Sequence, residues 1–351
     1  MKYLFSLLLI ILGLLSYSQK SEVYFTKDIS SAGVLKIYEK IKSEVKGKRI
    51  AIKVHFGEDG NQNYLSPNLV EGLCKLTNGT LVETNVLYVS RRRYTESHIQ
   101  LAKDHGFNFA PIDILDAEGD YSIKTNGTHY KEVKVGRSLD KYDSYIIFSH
   151  FKGHGMAGFG GAIKNVSMGL ASIAGKMALH TSTVPTIKNE KCTKCGACEK
   201  KCPGGAITIE PNVKIDSAKC IGCGQCIGVC KDGVFGVAWA SVSKPVFLER
   251  LVEYAEAIIK DRNVVYINVL ANISKDCDCV KAAGKPFMND IGILASTDIV
   301  AIEKASHDLV DKNHKCKDTF LKINSVSGKN QIEYAYKRGL GNKKYKLIKI
   351  D

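Results

Sequence analysis

Residues 191–231 carry two closely similar cysteine runs, KCTKCGACEKKCP at 191–203 and CIGCGQCIGVCK at 220–231. Both runs have the spacing C-x2-C-x2-C-x3-C, and their first cysteines are 28 residues apart (220 − 192). Such matched spacing indicates an internal duplication. The cysteines of the two runs are Cys192, Cys195, Cys198, Cys202, Cys220, Cys223, Cys226 and Cys230.

This spacing is typical of proteins that bind two 4Fe–4S clusters. Three thiolates on a tight loop bind three irons of one cubane, and the fourth cysteine of the run ligates the other cluster. The sequence therefore predicts two sets of ligands, Cys192, Cys195, Cys198 and Cys230 for cluster 1, and Cys220, Cys223, Cys226 and Cys202 for cluster 2.

Zinc and disulfides are the alternatives for these cysteines. A structural zinc site closes with four ligands, which fits two duplicated runs of four cysteines less well. Dense C-x2-C repeats would leave strained or ambiguous disulfide pairings. Pro203 follows the first run, whereas Lys231 stands at the matching place in the second. We expect the backbone after Cys230 to be less constrained and that cluster more hydrated.

The rest of the chain, roughly three hundred residues, is long enough for one large or two ordinary domains. Runs typical of strands and helices alternate on both sides of the cysteines, with strands at 48–55, 79–85, 133–135, 145–149, 263–269, 291–295 and 346–350, and helices at 66–74, 96–106, 245–260, 298–311 and 331–339. This alternation predicts an α/β fold with a mainly parallel sheet layered with helices, interrupted by an α+β ferredoxin-like two-cluster module. The predicted domains are an α/β domain in two parts, 20–185 and 239–351, and the module at 186–238.

Residues 1–19 have the outline of a secretory signal peptide. A positive start is followed by the apolar run LFSLLLIILGLL and by small residues before a cut near Ser18. The apolar run is short for a membrane span, although an uncleaved anchor is the second interpretation. We therefore expect an exported or membrane-attached protein on the periplasmic side, with a cytoplasmic protein as the alternative, and membrane contact only through this segment if it is uncleaved.

The formal net charge is +14. Two clusters at about −2 each would lower it to about +10. A basic surface favours an acidic partner, and we expect an acidic redox protein. The lysines are scattered and only Arg91-Arg92-Arg93 is a compact run, which favours a solvated face and no nucleic-acid binding.

A glycine-rich stretch, SHFKGHGMAGFGGAIKN at 149–165, contains G-x-G-x-x-G at Gly153, Gly155 and Gly158. A dinucleotide site also needs an acidic residue about twenty positions further on and a following strand, and neither is present. Two interpretations stay open. The turn could bind an anion with its N–H groups, beside His150, Lys152, His154 and Lys164, or the glycines could allow close backbone contact with the cysteine module.

The pair Cys277-Asp278-Cys279 is a second candidate site. A C-x-C pair makes a strained disulfide but a good pair of soft metal ligands. With His150, His154 or His55 nearby it could form an additional metal site; the alternative is two thiols without a role. Cys74 and Cys316 are expected to be structural, and His98, His105, His129 and His314 to be ordinary surface or core residues.

Several segments together resemble one known family. VHFGEDGN, SHFKGHGMAGFGGAIKN, GLASIAGKMALH, the two cysteine runs, DCDC and NDIGILASTDIVAIEKASHDLV occur in this order. The chain resembles the domain of unknown function 362 family, described as containing a ferredoxin domain, over about residues 22–350. The resemblance implies an interrupted α/β domain and 4Fe–4S binding, but no settled reaction. It makes the following residues candidates for one shared site: His55, His150, Lys152, His154, Asn165, Cys277, Cys279, Asp290 and Asp298.

Two functions are compatible with the sequence. The first is an iron–sulfur redox protein whose clusters transfer electrons to or from a site in the α/β domain, with His150, Lys152 and His154 as candidate catalytic residues acting on an unknown small molecule. The second is a non-catalytic protein that uses its clusters for binding, sensing or maturation.

Overall fold

The computed structural model describes residues 20–239 and 241–351. The predicted signal peptide or anchor at 1–19 lies outside the described residues. Within the described part of the chain, no helix has the length and apolar character needed to cross a membrane.

The described residues form sixteen strands and eleven α-helices. The strands are β1 (Ser21–Thr26), β2 (Ile50–Lys53), β3 (Thr80–Glu83), β4 (Ile112–Ile114), β5 (Asp120–Lys124), β6 (Glu132–Gly136), β7 (Ser144–His150), β8 (Lys152–His154), β9 (Gly158–Gly160), β10 (Thr186–Ile187), β11 (Ile207–Thr208), β12 (Lys214–Ile215), β13 (Phe235–Gly236), β14 (Asn263–Leu270), β15 (Gly292–Ser296) and β16 (Tyr345–Lys349). The helices are α1 (Ser31–Tyr38), α2 (Asn68–Thr77), α3 (Thr95–Asp104), α4 (Ala162–Leu170), α5 (Ile173–His180), α6 (Ala197–Lys200), α7 (Gln225–Val229), α8 (Lys244–Ile259), α9 (Ile299–Asn313), α10 (Thr319–Asn324) and α11 (Lys329–Lys337).

Eight of these strands form one sheet in the order β16-β1-β15-β14-β7-β2-β3-β4. Neighbouring strands are parallel, except that β15 is antiparallel to both β1 and β14. The sheet takes strands from both sides of the cysteine runs. The predicted α/β class with a mainly parallel sheet is confirmed.

Both faces of the sheet are covered by helices. Alternate residues of a strand point to opposite faces. Ile52 and Ile146 accordingly pack with α1, α2 and α3 on one face, whereas Ala51 and Tyr145 pack with α4, α8 and α9 on the other. All residues of β2 and β7 are buried, as expected for parallel strands covered on both faces. Burying each large aliphatic side chain contributes about 1.5–3 kcal/mol, so these two cores hold the sheet rigid beneath the site.

The segment from β10 to β13 repeats its backbone after 28 residues. Strand β12 follows β10 by this interval (214 − 186), and β13 follows β11 (235 − 207). Strand β10, the first of the four along the chain, pairs with β13, the last, and β11 pairs with β12. Positive φ angles recur at the same interval, at Lys194 and Gly222, Gly196 and Gly224, and Gly205 and Gly233. The sequence duplication is therefore also a duplication of conformation.

This segment has a small hydrophobic core of its own. The core includes Cys198, Cys226 and Phe235, and the α/β body contributes Leu87 and Met177 to it. The cysteine segment is thereby packed against the loop that follows β3 and against α5.

Candidate functional site

The predicted ligand sets gather around two separate small cavities. One cavity is lined by Cys192, Cys195, Cys198 and Cys230, together with residues of the first cysteine loop. The other is lined by Cys202, Cys220, Cys223 and Cys226. In each case three cysteines come from one run and the fourth comes from the other.

Backbone N–H groups point at the sulfur of the fourth cysteine in each run. Ala206 N lies 3.3 Å from Cys202 Sγ, and Val234 N lies 3.4 Å from Cys230 Sγ. N–H groups directed at sulfur stabilise thiolates and tune cluster potentials. The donor set of each cavity, four sulfurs with N–H groups around them, fits an iron–sulfur cubane.

A larger cavity of about 410 Å³ lies beside the cysteine segment. Its floor is formed where three parallel strands end, at Lys53 of β2, Glu83 of β3 and His150 of β7. The strand order reverses beside β2, because β3 and β4 lie on one side of it, whereas the later strands β7 and β14 lie on its other side. The gap between β2 and β7 is a topological switch point. Ligands of open α/β sheets bind outside the carboxyl ends of the strands at such a switch point.

A buried ion-pair network forms this floor. Lys53 Nζ lies 2.8 Å from Glu83 Oε1, and Arg92 Nη2 lies 3.0 Å from Glu83 Oε2. Lys53 also donates to Asn165 Oδ1 at 2.9 Å, and Asn165 Nδ2 donates to Ser149 Oγ at 3.0 Å. Burial alone would raise the pKa of Glu83, but Lys53 and Arg92 lower it to about 2. The carboxylate is therefore ionised and holds both cations in place.

A second network lies under the C-x-C pair. His150 Nδ1 lies 2.8 Å from Asp278 Oδ1, and its Nε2 donates to the carbonyl oxygen of Ala271 at 2.7 Å. Lys152 Nζ lies 3.2 Å from Asp278 Oδ2. Burial raises the pKa of Asp278, but His150 and Lys152 outweigh burial and hold it well below its usual value. The charges of His150 and Lys152 thus hold the Asp278 carboxylate in place.

Two further lysines line the cavity. Burial and the neighbouring Lys152 lower the pKa of Lys164 to about 7, and burial lowers the pKa of Lys176 to about 8. Lys176 Nζ donates to Thr84 Oγ1 and, at 2.8 Å, to the carbonyl oxygen of Ala171. Among residues 20–239 and 241–351, no carboxylate forms an ion pair with Lys164. Its ammonium is available to an anion in the cavity.

The cavity as a whole is cationic. It is lined by five lysines or arginines and by two carboxylates, Glu83 and Asp276; the basic residues are Lys53, Arg92, Lys152, Lys164 and Lys176. Three neutral histidines add to the lining. Burial, with nearby cations, holds the pKa of His55 and of His154 well below the usual value and lowers that of His180 to about 3. The excess of basic over acidic side chains in this lining favours an anion over a cation as ligand.

The C-x-C pair and His154 meet on the cavity wall. Their ligand atoms all lie within 4.8 Å of one another, a geometry that could hold a metal ion. The structure joins Cys277 and Cys279 in a disulfide, with a Cα–Cα distance of 5.3 Å. His154 Nδ1 accepts from the N–H groups of Met156 and Ala157 at 3.2 and 3.1 Å, which leaves Nε2 as the ring N–H in the neutral tautomer.

The other two histidines of the predicted metal site have different partners. Both ring nitrogens of His150 are engaged by Asp278 and Ala271. His55 Nδ1 accepts from the N–H of Gly57 at 3.0 Å, and its Nε2 lies 3.2 Å from Arg92 Nη1. Of the residues of this predicted metal site, the described structure therefore groups only His154, Cys277 and Cys279 within ligand distance of one another.

The glycine-rich stretch forms the hairpin β8–β9. A Cβ at Gly153 would lie 2.2 Å from the carbonyl oxygen of Lys275, and one at Gly158 would lie 2.5 Å from Gly328 N. These close contacts are with the C-x-C loop and the segment before α11. The interpretation that the glycines allow close contact with the cysteine module is therefore wrong for these two glycines. Gly155 has open space around it and lines the cavity.

Helix α4 follows this hairpin directly. The backbone N–H of Ala162, in the first turn of the helix, donates to Glu303 Oε1. A buried carboxylate therefore occupies the place where a nucleotide phosphate would bind at such a helix N-terminus.

The structure brings together most of the residues that the sequence singles out. The cavity is lined by His55, His150, Lys152, His154, Asn165, Cys277 and Cys279. Asp290 and Asp298 lie elsewhere. Asp290 accepts from the backbone N–H of Asn272 at 2.8 Å, and Asp298 caps α9 by accepting from Val300 N and Ala301 N. Both carboxylates have structural roles.

Several residues of the site were missed from the sequence. They are Lys53, Glu83, Lys176 and His180, and also Arg92, which belongs to a run interpreted as a solvated face. That interpretation is wrong for two of its three arginines, since Arg92 is 2% and Arg93 5% exposed. A usable signal was present for Lys53 and Glu83, because each is a charged residue that ends an otherwise apolar strand.

The family model for the domain of unknown function (DUF362) matches residues 50–308. The chain belongs to this family. No curated protein matches this family member.

Two solved structures are similar to this DUF362 chain. The lactate racemase apoprotein from Thermoanaerobacterium thermosaccharolyticum has 14% identity and a TM-score of 0.40, with 72% of this chain and 51% of that chain covered. A structural-genomics protein from Thermotoga maritima has 10% identity and a TM-score of 0.43, with 83% and 61% covered. The chain therefore spans about half to three-fifths of the length of these proteins.

Proposed function

We propose that this protein is an iron–sulfur redox protein, which binds two 4Fe–4S clusters and delivers electrons to a small anion bound in the cationic cavity. The observation that carries the proposal is the gathering of the eight cysteines into two sets of four, each with one member from the other run. Spacing alone predicts this exchange for paired cubanes. The bound clusters would supply single electrons.

The backbone supports the same assignment. The 28-residue repeat (220 − 192) extends from the cysteines to the strands and to three left-handed positions in each half. A two-cluster ferredoxin needs such a repeat, because each loop must present three sulfurs to one cubane and one sulfur to the other. A pair of independent zinc sites would not require the exchange.

The two sets differ in exposure, which favours one direction of electron flow. Cys195 of the first set is exposed, whereas Leu87 lies between the second set and the large cavity. Lys191 and Lys200 are exposed around the first set, and Lys194 is exposed there in an ion pair with Glu210. We propose that an acidic redox partner docks there and that cluster 2 faces the substrate.

The charge of the cavity supports an anionic substrate. Glu83 and Asp278 each neutralise cations of the floor, while Lys164 forms no ion pair among the described residues. Lys152 and His154 would orient the anion, and Lys164 would bind its charge. A carboxylate or a phosphate group fits this chemistry, since both accept hydrogen bonds from ammonium groups.

The test is anaerobic purification followed by analysis of iron, sulfide and other metals. We expect about eight irons and eight sulfides per chain, because each cubane holds four of each. Potentiometric titration with spin-resonance detection should show reversible reduction of both clusters. Clusters that do not reduce would favour the binding, sensing or maturation role. A colourless protein loaded with zinc would overturn the proposal.

An additional metal at His154, Cys277 and Cys279 is measured in the same assay. The group has the required proximity, but the disulfide removes the thiolate ligands. A metal other than iron that disappears in Cys277→Ser would establish this site.

A further inference from the structure

We propose that Cys277 and Cys279 form a redox-active disulfide, which takes two electrons from the two clusters and returns them to the bound substrate. This inference rests on the proposed function and deepens it. It identifies this cysteine pair as the group that passes electrons directly to the substrate in the cavity.

The loop after β3 connects the second cysteine set to the C-x-C pair. A Cβ placed on Gly224, beside Cys223, would lie 3.1 Å from Leu87 Cδ1, so the cysteine segment contacts Leu87 directly. The next residue, Tyr88, has its hydroxyl oxygen 3.1 Å from the carbonyl oxygen of Cys279 and 2.9 Å from Glu58 Oε2, so its one hydroxyl proton is shared between these two acceptors. Two consecutive residues thus span the gap between cluster 2 and the disulfide.

Arg93 fixes this connection. Its Nη2 donates to the carbonyl oxygen of Gly224 at 2.9 Å, and its Nη1 donates to the carbonyl oxygen of Val86 at 3.2 Å and to that of Leu87. Arg93 and Leu87 are both buried, so the contact between the cysteine segment and Leu87 is held away from bulk water. Tyr88 and Cys279, at the other end, line the cavity.

The C-x-C backbone is held while its sulfurs face the cavity. Asp278, between the two cysteines, is bound by His150 and Lys152. Gly153 N donates to the carbonyl oxygen of Ser274 at 2.9 Å on the preceding side. The two sulfurs therefore stay adjacent after the bond opens, and the disulfide can form again without movement of the loop.

The electron count of the clusters matches that of the disulfide. Reduction breaks the S–S bond and forms two thiols, which takes two electrons and two protons. Each cluster supplies one electron, and the two protons come from water in the cavity. In the reverse direction, the two thiols release two protons and two electrons to an oxidised anionic substrate as the S–S bond forms again. The pair would thus convert one-electron delivery into a two-electron reduction.

Tryptic mapping can follow this pair separately from the other cysteines. Cleavage after Lys275 and Lys281 releases residues 276–281, which contain Cys277 and Cys279 and no other cysteine. Anaerobic holoprotein is alkylated before and after stoichiometric reduction with dithionite. We expect this peptide to be a disulfide in oxidised protein and doubly alkylated in reduced protein.

Electron uptake provides the second measurement. Reductive titration of wild type should consume about two electrons more than Cys277→Ser, because a disulfide is a two-electron couple. Cys316→Ser, which removes a cysteine outside the cavity lining, should match wild type. Equal uptake in wild type and Cys277→Ser, or a peptide whose state does not change while the clusters reduce, would overturn the inference and leave the proposed function standing. Absence of iron and sulfide would instead overturn the proposed function.

Discussion

Lys164 is the residue whose charge the cavity controls most closely. Burial and Lys152 lower its pKa to about 7, against the opposing attraction of Asp278. The ammonium is therefore present below about pH 7 and lost above it. We predict that affinity for a small anion, measured by calorimetry with oxalate, rises as pH falls from 8 to 6. Lys164→Met should lower affinity at pH 6 about tenfold or more, since hydrogen bonds to charged groups contribute about 1.5–3 kcal/mol.

The lowered pKa of Lys164 also predicts how the stability of the fold depends on pH, and this dependence serves as a control. Between about pH 7 and the ordinary lysine value of 10.5, the unfolded chain binds more protons at this position than the folded chain. The free energy of unfolding of wild type therefore gains a contribution that rises with pH across this window. Lys164→Met should lose that contribution without losing stability at pH 6. Reduced anion affinity together with a lowered melting temperature at pH 6 would contradict the assignment. In Lys176→Met, by contrast, affinity for the anion should still rise as the pH falls through about 7.

Sequence patterns identified most site residues where reactive groups lie close together along the chain. His150, Lys152 and His154 are near one another in sequence, and the C-x-C pair is a motif, so both were found. Lys53 and Glu83 are single charges at the ends of separate strands, and only the parallel register of β2 and β3 places them 2.8 Å apart. Arg92 was misjudged, because a run of arginines has no pattern that reveals burial.

At the scale of elements, the exchange of the fourth cysteine between the two loops predicts which cysteine variants lose the same cluster. Cys230→Ala should remove the same cluster as Cys195→Ala, and Cys202→Ala the same cluster as Cys223→Ala. Each variant should lose about half of the iron, because one cubane of two is lost. The spin-resonance signal of the surviving cluster identifies which one remains.

One result would contradict the ligand assignment and another the predicted iron loss. If Cys202→Ala gives the spectrum of Cys195→Ala, each run binds its own cluster and the assignment is wrong. Loss of both clusters in every variant, with intact cluster content in Cys316→Ser, would contradict the predicted loss of half of the iron and mean that the two loops fold only as one unit.

The sequence predicted some elements of the fold closely and missed others. The strands at 263–269 and 291–295 and the helices at 245–260 and 298–311 correspond to β14, β15, α8 and α9 within a few residues. No element was predicted before residue 48, although β1 and α1 lie there. The position of β1, between β15 and β16 near the other end of the chain, is set by pairing across more than two hundred residues. Local patterns carry no information about such pairing.

For the whole molecule, the net charge of +14 predicts that electrostatic attraction raises the rate of association with the proposed acidic partner. An acidic donor attracted to a basic surface associates faster than a neutral one, and salt screens the attraction over about 10 Å at 0.1 M. The rate of reduction by an acidic ferredoxin-type donor should therefore fall steeply between low and high salt. Reduction by a neutral small molecule should change little.

The proposal that electrons enter through the first cysteine set predicts where that partner docks. Lys191 and Lys200 are exposed around Cys195, whereas Lys40 is exposed at the end of α1, outside the cysteine segment. We predict that Lys191→Glu with Lys200→Glu lowers the bimolecular rate at low salt about tenfold, the lower end of electrostatic steering effects. Lys40→Glu changes the net charge by the same amount per substitution and should have a small effect. Equal slowing by the two kinds of substitution would show that the partner responds to total charge and not to this surface, and electron entry through the first cluster would then be the wrong assignment.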